Sequence, residues 1–308
     1  MAVANVYMGT SPFAARVLER LADSAHRPAL VVTPPDRPAG RGRRLSPPPA
    51  AVTARELDLP LHQTPRVNEP ASVAAVIESG AEVGTVCAFG QLIGTELLEA
   101  LPMLNVHPSL LPRWRGAAPI ERAIMSGDKR TGVAVMRLTE GLDSGPVALV
   151  EEVEIGPEDD FGRLAERLAD CGGELLVRAL DLYERRELRF EEQPAEGVTY
   201  AEKIAAEDRR LDPTRPAVEL ARTVRALTPH IGAFLELPGG ERLGVKAARA
   251  LGAAGGQPGS TSVADGALIV ACAESALAIE RLQPPGKREM AAADWLRGHE
   301  PPARVGSA

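Results

Sequence analysis

The chain has 308 residues, of which 44% are apolar and 25% charged, and its formal net charge is −7. That is ordinary globular composition, long enough for two domains at about 100–200 residues each, and it excludes a disordered chain. No apolar run approaches the roughly 18–20 residues that cross a bilayer, and aromatic residues, at 3%, are too scarce to build stacking platforms for single-stranded nucleic acid.

The first segment, Met1 to Met8, has no basic region or cleavage-like site, so no secretory signal is expected. Val3–Met8 is a short apolar run followed by Gly9-Thr-Ser-Pro12 and then a helical pattern through Phe13, Val17, Leu18 and Leu21. Further buried strands are expected at Ala29–Val32, Val83–Ala88, Met103–Val106 and Thr131–Met136. Helical segments fall between them, near Ala50–Asp58, Ala71–Ser79, Thr95–Ala100 and Pro119–Ser126. Short apolar strands separated by helices predict an α/β fold with a doubly wound parallel sheet. After Val147–Val153, helical spacing from Phe161 to Tyr183 closes this domain.

From about Ala206 the texture changes. A helix carrying Val218, Leu220, Ala221, Val224 and Leu227 precedes strand-like runs at Ile231–Leu237, Leu243–Ala247, Ala267–Cys272 and Ala276–Leu282. Strands with Gly/Pro turns and no intervening helices predict a small β-barrel or sandwich. The expected division is therefore an α/β domain over residues 1–205 and a second domain over residues 206–308, with a linker near 193–205. Residues 1–205 carry a net charge of −8 and the remainder +1, so the acidic surplus lies wholly in the first part.

Several features bear on chemistry. The turn after the first strand, Gly9-Thr-Ser-Pro-Phe13, lacks the G-x-G-x-x-G spacing, which disfavours a dinucleotide cofactor. The turn after the second strand, Thr33 to Pro49, is a seventeen-residue basic loop, where two to about six residues are usual. Arg37, Arg41, Arg43 and Arg44 within it suit phosphate groups, and a solvated basic insertion is the equal alternative. Cys87, Cys171 and Cys272 lie far apart with no C-x-x-C pair, which speaks against disulfides and a thiolate zinc site and suits a reducing cytoplasm. The five histidines are dispersed without ligand spacing, so no metal is expected.

The strongest signal is Asn105-Val-His107-Pro-Ser109-Leu110-Leu111-Pro112. Asn105 and His107 are two apart at a strand end, so their side chains point the same way, toward the crevice beyond the strand. A histidine can manage a proton, and a primary amide can donate to a developing oxyanion. Asp143, flanked by Gly141 and Gly145, is the expected carboxylate partner. Each residue alone reads as structural; the set reads as acyl transfer.

That set, Asn105-x-His107-Pro-Ser-Leu-Leu-Pro112 with Leu142-Asp143-x-Gly145, resembles the signature of the folate-dependent formyltransferases. Pro35–Gly42, Arg113–Ile120, Tyr200–Lys203 and Leu282–Lys287 are similar to the methionyl-tRNA formyltransferases among them, and the likeness runs along essentially the whole chain. The resemblance implies that Asn105, His107 and Asp143 are the catalytic triad. It implies that Ser109, Leu110, Leu111 and Pro112 line the site of the formyl donor, 10-formyltetrahydrofolate. The basic loop, centred on Arg41, would recognise the acceptor end of methionyl-initiator tRNA, and the second domain would be an OB-like barrel that helps hold the tRNA. A cytoplasmic enzyme of translation initiation is expected, without membrane attachment and as a monomer. Departures at Ser11, Pro34 and His230-Ile231 do not touch the triad. The alternatives are a formyltransferase acting on a small amine, such as an amino-sugar nucleotide or glycinamide ribonucleotide, a hydrolase releasing formate, and a non-catalytic tRNA-binding protein.

Overall fold

A computed structural model describes residues 2–39, 44–252 and 256–306. In chain order the first part runs β1 (Asn5–Gly9), α1 (Pro12–Ala22), β2 (Leu30–Thr33), β3 (Arg37–Ala39), β4 (Arg44–Ser46), α2 (Pro49–Glu56) and β5 (Leu61–Gln63). It continues through α3 (Pro70–Glu78), β6 (Val83–Cys87), α4 (Thr95–Ala100), β7 (Met103–His107), β8 (Arg115–Gly116) and α5 (Pro119–Ser126). Then come β9 (Arg130–Arg137), β10 (Val147–Glu154), α6 (Phe161–Glu184) and β11 (Tyr200–Ala201). Four of these helices, α1, α2, α3 and α5, begin on a proline, whose fixed φ suits the first helical position and whose missing N–H is no loss there. In α1, the Ser11 hydroxyl also caps the helix by accepting from the Ala14 N–H at 3.2 Å.

The chain divides into two compact units. The first comprises Met1–Gly116, Arg130–Glu154 and Ala165–Tyr200; the second comprises Ala117–Lys129, Ile155–Leu164 and Ala201–Ala308. In this stretch the second unit thus starts close to the expected division at 205/206, but it also takes in α5 and the first turn of α6.

The first unit is built on a seven-stranded sheet in the order β10-β9-β7-β6-β1-β2-β5. Strands β5, β2, β1, β6 and β7 are parallel. One apolar layer, with Val6, Met8, Val86 and Met103 from the strands, packs Val73, Val76 and Leu97 of α3 and α4. On the opposite face Tyr7 donates its hydroxyl to the Ala14 carbonyl of α1 at 2.6 Å. There α6 approaches β7 closely: a Cβ on Gly172 would lie 2.9 Å from Val106 Cγ1, and one on Gly173 would lie 2.6 Å from Arg20 Cβ. These two helix-interior glycines exchange about 1 kcal/mol of helix propensity each for close packing, Gly172 against the strand that carries Asn105 and His107 and Gly173 against α1.

The sheet departs from the sequence expectation in one respect. The Thr131–Met136 segment was expected to continue the parallel series, but β9 runs antiparallel to β7, with Asn105 opposite Met136 and His107 opposite Ala134, and β10 runs antiparallel to β9. A strand buried on both faces reads as a continuous apolar run whichever way it points, so burial pattern does not encode direction. The short edge strand β5 was also not foreseen, and the basic loop proves to contain a β-ribbon in which Arg37, Pro38 and Ala39 pair Ser46, Leu45 and Arg44. The opposite edge, β10, is charged with Glu151, Glu152 and Glu154, which discourages strand addition.

The second unit carries the 3-10 turn Glu207–Arg209, α7 (Ala217–Leu227), β12 (Ala233–Glu236), β13 (Arg242–Leu251), β14 (Thr261–Ala264), β15 (Ala267–Ala271), β16 (Ala276–Gln283), β17 (Met290–Ala291) and α8 (Ala292–Leu296). Its sheet is antiparallel in the order β12-β13-β16-β15-β14, with β17 on β16. It is the strand-rich second domain read from the sequence. Among the described residues the pairings form an open path rather than a closed ring. Leu220, Val224 and Leu227 of α7 fill one core with Leu235, Val245, Leu268, Ile279 and Trp295. No described helix is long and apolar enough to cross a membrane.

Candidate active site

In the first unit the chain proceeds outward from β1 through β2 to β5, then returns to place β6 on the other side of β1 and β7 beyond it. The order reverses between β1 and β6, and in such sheets ligands bind beyond the carboxyl ends of the strands near that reversal. Gly9 ends β1 because a Cβ there would sit 2.7 Å from Tyr7 Cε1 and 2.8 Å from Ala14 Cβ. Its role is the close packing of strand and helix, in keeping with the missing G-x-G-x-x-G spacing. The Thr10 hydroxyl then donates to the Phe89 carbonyl at 2.6 Å, tying the loop after β1 to the loop after β6.

His107 is the last residue of β7 and Asn105 lies two before it, and both are buried. The expectation that they share a face is met: Met103, two residues earlier, packs with α3 and α4, while Val106 faces α6. Asp143 arrives from the turn between β9 and β10. Asn105 Nδ2 donates to Asp143 Oδ1 at 3.3 Å, and His107 Nδ1 stands 3.7 Å from Asp143 Oδ2. The other ring nitrogen, Nε2, lies 2.9 Å from the Trp114 carbonyl. A carbonyl only accepts, so Nε2 carries a proton, and the nitrogen turned toward the carboxylate is Nδ1. The Gly116 N–H donates to Asp143 Oδ2 at 2.9 Å, which leaves this carboxylate in contact with a backbone donor, an amide and an imidazole.

The Asp143 turn is tightly determined. Asp143 has φ +43°, a left-handed conformation that costs a non-glycine residue about 1–2 kcal/mol. A Cβ on Gly145 would fall 2.0 Å from the Arg137 carbonyl, so only glycine lets the turn lie against the end of β9. Gln193 Nε2 donates to the carbonyls of Asp143 and Gly145, each at 2.8 Å, and Arg115 Nε and Nη2 donate to Gln193 Oε1 at 3.0 and 2.7 Å. Gln193 and Arg115 were not singled out for chemistry in the sequence.

The neighbouring segment is equally ordered. The Ser109 hydroxyl donates to the Arg113 carbonyl at 2.7 Å and is fully buried, whereas Leu110, Leu111 and Pro112, which follow it in the chain, are half-buried. Among the basic-loop residues, Arg37 is exposed, and Arg44 is described only as a β4 backbone position opposite Ala39. Arg41 and Arg43 lie outside the described residues. The ribbon's base is fixed, since Gln63 Nε2 donates to Asp36 Oδ1 at 2.9 Å.

No cysteine competes as a nucleophile. Burial pushes the Cys87 thiol up to about 12 and the Cys171 and Cys272 thiols up to about 11, so little thiolate exists near neutrality. Folding does bring His26, Asp181 and Glu184 together, a grouping their sequence separation conceals. His26 Nδ1, however, accepts the Val3 N–H at 3.0 Å, so Nε2 holds the ring proton and donates it to Asp181 Oδ1 at 2.9 Å. Neither nitrogen has a lone pair to offer a cation.

Comparison with known proteins agrees with this geometry. Residues 1–180 match the formyl transferase family and residues 203–300 match the formyl transferase C-terminal domain. The methionyl-tRNA formyltransferase of Methylobacterium sp. (strain 4-46) is 46% identical over 313 aligned positions, covering 99% of this chain and 100% of the relative. That of Parvibaculum lavamentivorans is 45% identical over 296, covering 95% and 96%. The chain belongs to the methionyl-tRNA formyltransferase family. Among solved structures, HypX from Aquifex aeolicus in complex with tetrahydrofolic acid superposes with TM-score 0.67 at 17% identity over 95% of this chain. This chain spans only 46% of that protein's length. The N-formyltransferase from Helicobacter canadensis, in complex with folinic acid and dTDP-3-aminofucose, superposes with TM-score 0.65 at 12% identity over 90% of this chain and 98% of its own. At these identities the likeness is one of fold.

Proposed function

We propose that Asn105, His107 and Asp143 transfer the formyl group of 10-formyltetrahydrofolate to the α-amine of methionine carried on initiator tRNA, in the cytoplasm. The observation that carries this reading is the convergence of a primary amide, an imidazole and a carboxylate at the carboxyl end of β7. Half-buried Leu110, Leu111 and Pro112, which follow His107 closely in the chain, are of the apolar kind that suits the flat ring system of a folate. The donor is a substrate, and no resident metal enters the reaction as proposed.

Attack of the amine on the formyl carbon moves negative charge onto the formyl oxygen. Asn105 commits one amide hydrogen to Asp143 and keeps the second for that oxygen. Because His107 Nε2 is engaged with the Trp114 carbonyl, the ring acts through Nδ1, sharing with Asp143 the proton that leaves the amine and reaches the departing folate nitrogen. Ser109, Leu110, Leu111 and Pro112 hold the donor. Arg37, Arg41, Arg43 and Arg44 supply phosphate contacts for the tRNA acceptor end. Residues 1–205 thus carry the chemistry, and residues 206–308 help hold the tRNA.

The test offers the protein 10-formyltetrahydrofolate with methionine-charged initiator tRNA, charged elongator tRNA or no acceptor, and follows tetrahydrofolate release. Release that needs charged initiator tRNA is expected. Release without an acceptor would make the protein a hydrolase, and release only with a small amine would transfer the reading to that substrate class.

A further inference from the structure

We propose that Gln193, clamped by Arg115, is a positioning residue that sets the aim of the Asp143 carboxylate; this rests on the role given to Asp143 above. Gln193 lies fifty residues beyond Asp143 in the chain, in a segment with almost no regular structure. Yet its side-chain amide is satisfied at four points. The Arg115 guanidinium can only donate, so the two contacts from Nε and Nη2 fix Oε1 on that side and leave no freedom to flip the amide. The NH₂ group then faces the turn, and its two hydrogens go to the carbonyls of Asp143 and Gly145.

The clamp reaches the other catalytic side chain too. Arg115 lies between Trp114, whose carbonyl holds His107 Nε2, and Gly116, whose N–H holds Asp143 Oδ2. Thr199 braces this three-residue segment: its hydroxyl accepts from the Trp114 N–H and its carbonyl from the Arg115 N–H, both at 2.9 Å. Nearer Gln193, Glu191 exchanges two backbone bonds with Val147 at 2.8 and 2.9 Å, which registers the strap against the start of β10. Residues 191–199 therefore hold, from outside the sheet, the left-handed turn that presents Asp143 and the carbonyl that orients His107. The gap from His107 Nδ1 to Asp143 Oδ2 is 3.7 Å, and a further displacement of about 1 Å in such a pair is enough to cost on the order of 10²-fold in rate.

The discriminating substitution is Gln193→Glu. A carboxylate keeps the size of the side chain and the Arg115 fork, but turns an acceptor toward two carbonyl oxygens. The expected result is a fall in kcat of roughly 10- to 100-fold, with KM for folate and for charged tRNA within about threefold of the parent, and a pH profile of kcat displaced from the parent's. A residue that only stabilised the fold would lower the melting temperature and leave the kcat of the folded fraction and its pH profile in place. Gln193→Met, which fills the space without donors or acceptor, should give the same loss of kcat and serves if Gln193→Glu does not fold. Asp143→Asn is measured alongside. An active Asp143→Asn would remove the basis of the site itself. An inactive Asp143→Asn with Gln193 variants of unchanged kcat, or with neither Gln193 variant able to fold, would overturn the positioning role alone.

Discussion

His26 and His107 stand at opposite ends of the parallel sheet in the first unit, and each faces an aspartate. At the amino end, both nitrogens of the His26 ring are committed: Nδ1 to the Val3 N–H and Nε2 to Asp181 at 2.9 Å, with the ring 1% exposed. At the carboxyl end, His107 gives Nε2 to the Trp114 carbonyl and leaves Nδ1 at 3.7 Å from Asp143, beyond hydrogen-bond length. The residue types match, but only the second pair keeps a nitrogen uncommitted and lies beside the reversal in strand order where ligands bind. A histidine–aspartate pair therefore becomes a candidate proton relay through what the other ring nitrogen does and which end of the sheet it occupies.

The largest effect that could break this contrast lies at His107. Asn105→Ala, His107→Ala and Asp143→Asn should each lower kcat by about 10²–10³-fold or more, the loss usual for removing a group that meets developing charge. Circular dichroism and the melting transition should report a folded protein. Near-parental turnover in any one would sink its assigned role.

At the amino end the expectation is reversed. His26→Ala removes a buried ring, leaves the Val3 N–H without its acceptor, and should cost about 2–4 kcal/mol in denaturant unfolding. The kcat of the folded protein should be unchanged; a large drop in kcat would erase the distinction between the two pairs. Asp181→Asn should do less, because that side chain is 48% exposed and the replacement amide oxygen still accepts from Nε2. About 1 kcal/mol or less is expected.

The two ends also differ in how far the sequence exposes them. Asn105 and His107 are legible because strand alternation puts residues two apart on one face, and Asp143 because its flanking glycines mark a tight turn. The parallel direction of β1, β2, β6 and β7 follows from the alternation of apolar runs and helices, whereas their order in the sheet does not. The reversed direction of β9 does not, since its burial would be the same in either sense. The partner of His107 Nε2 is a backbone carbonyl, which no side chain announces. Gln193 and Asp181 reach their sites only through long-range folding, across 50 and 155 residues. What sequence pattern conveys here is local periodicity, whereas the groups that tune the site arrive by tertiary contact.

A carboxylate with a partner that does not titrate sharpens the comparison with the smallest effect. In the second unit Arg122 Nη1 and Nη2 donate to Asp208 at 3.0 and 2.9 Å, and the Ala205 N–H adds a third bond at 2.9 Å. The Arg122 bonds, ahead of that backbone donor, hold the Asp208 carboxyl below the usual carboxylate range despite partial burial, which acts in the opposite direction. A group whose value is depressed by folding contributes stability that is fully present above the unfolded value of about 3.9 and is lost as pH falls through the lower folded value. Because the pair is about one-quarter exposed, the contribution belongs at the modest end, roughly 0.5–1 kcal/mol. Asp208→Asn should therefore lower stability by a constant small amount from pH 7 to about 5. That difference should shrink toward zero as urea midpoints are followed into the acid range below about pH 4. A difference that grew on acidification would mean that Asp208 is protonated more readily in the folded protein than in the unfolded chain, opposite to what its guanidinium partner dictates.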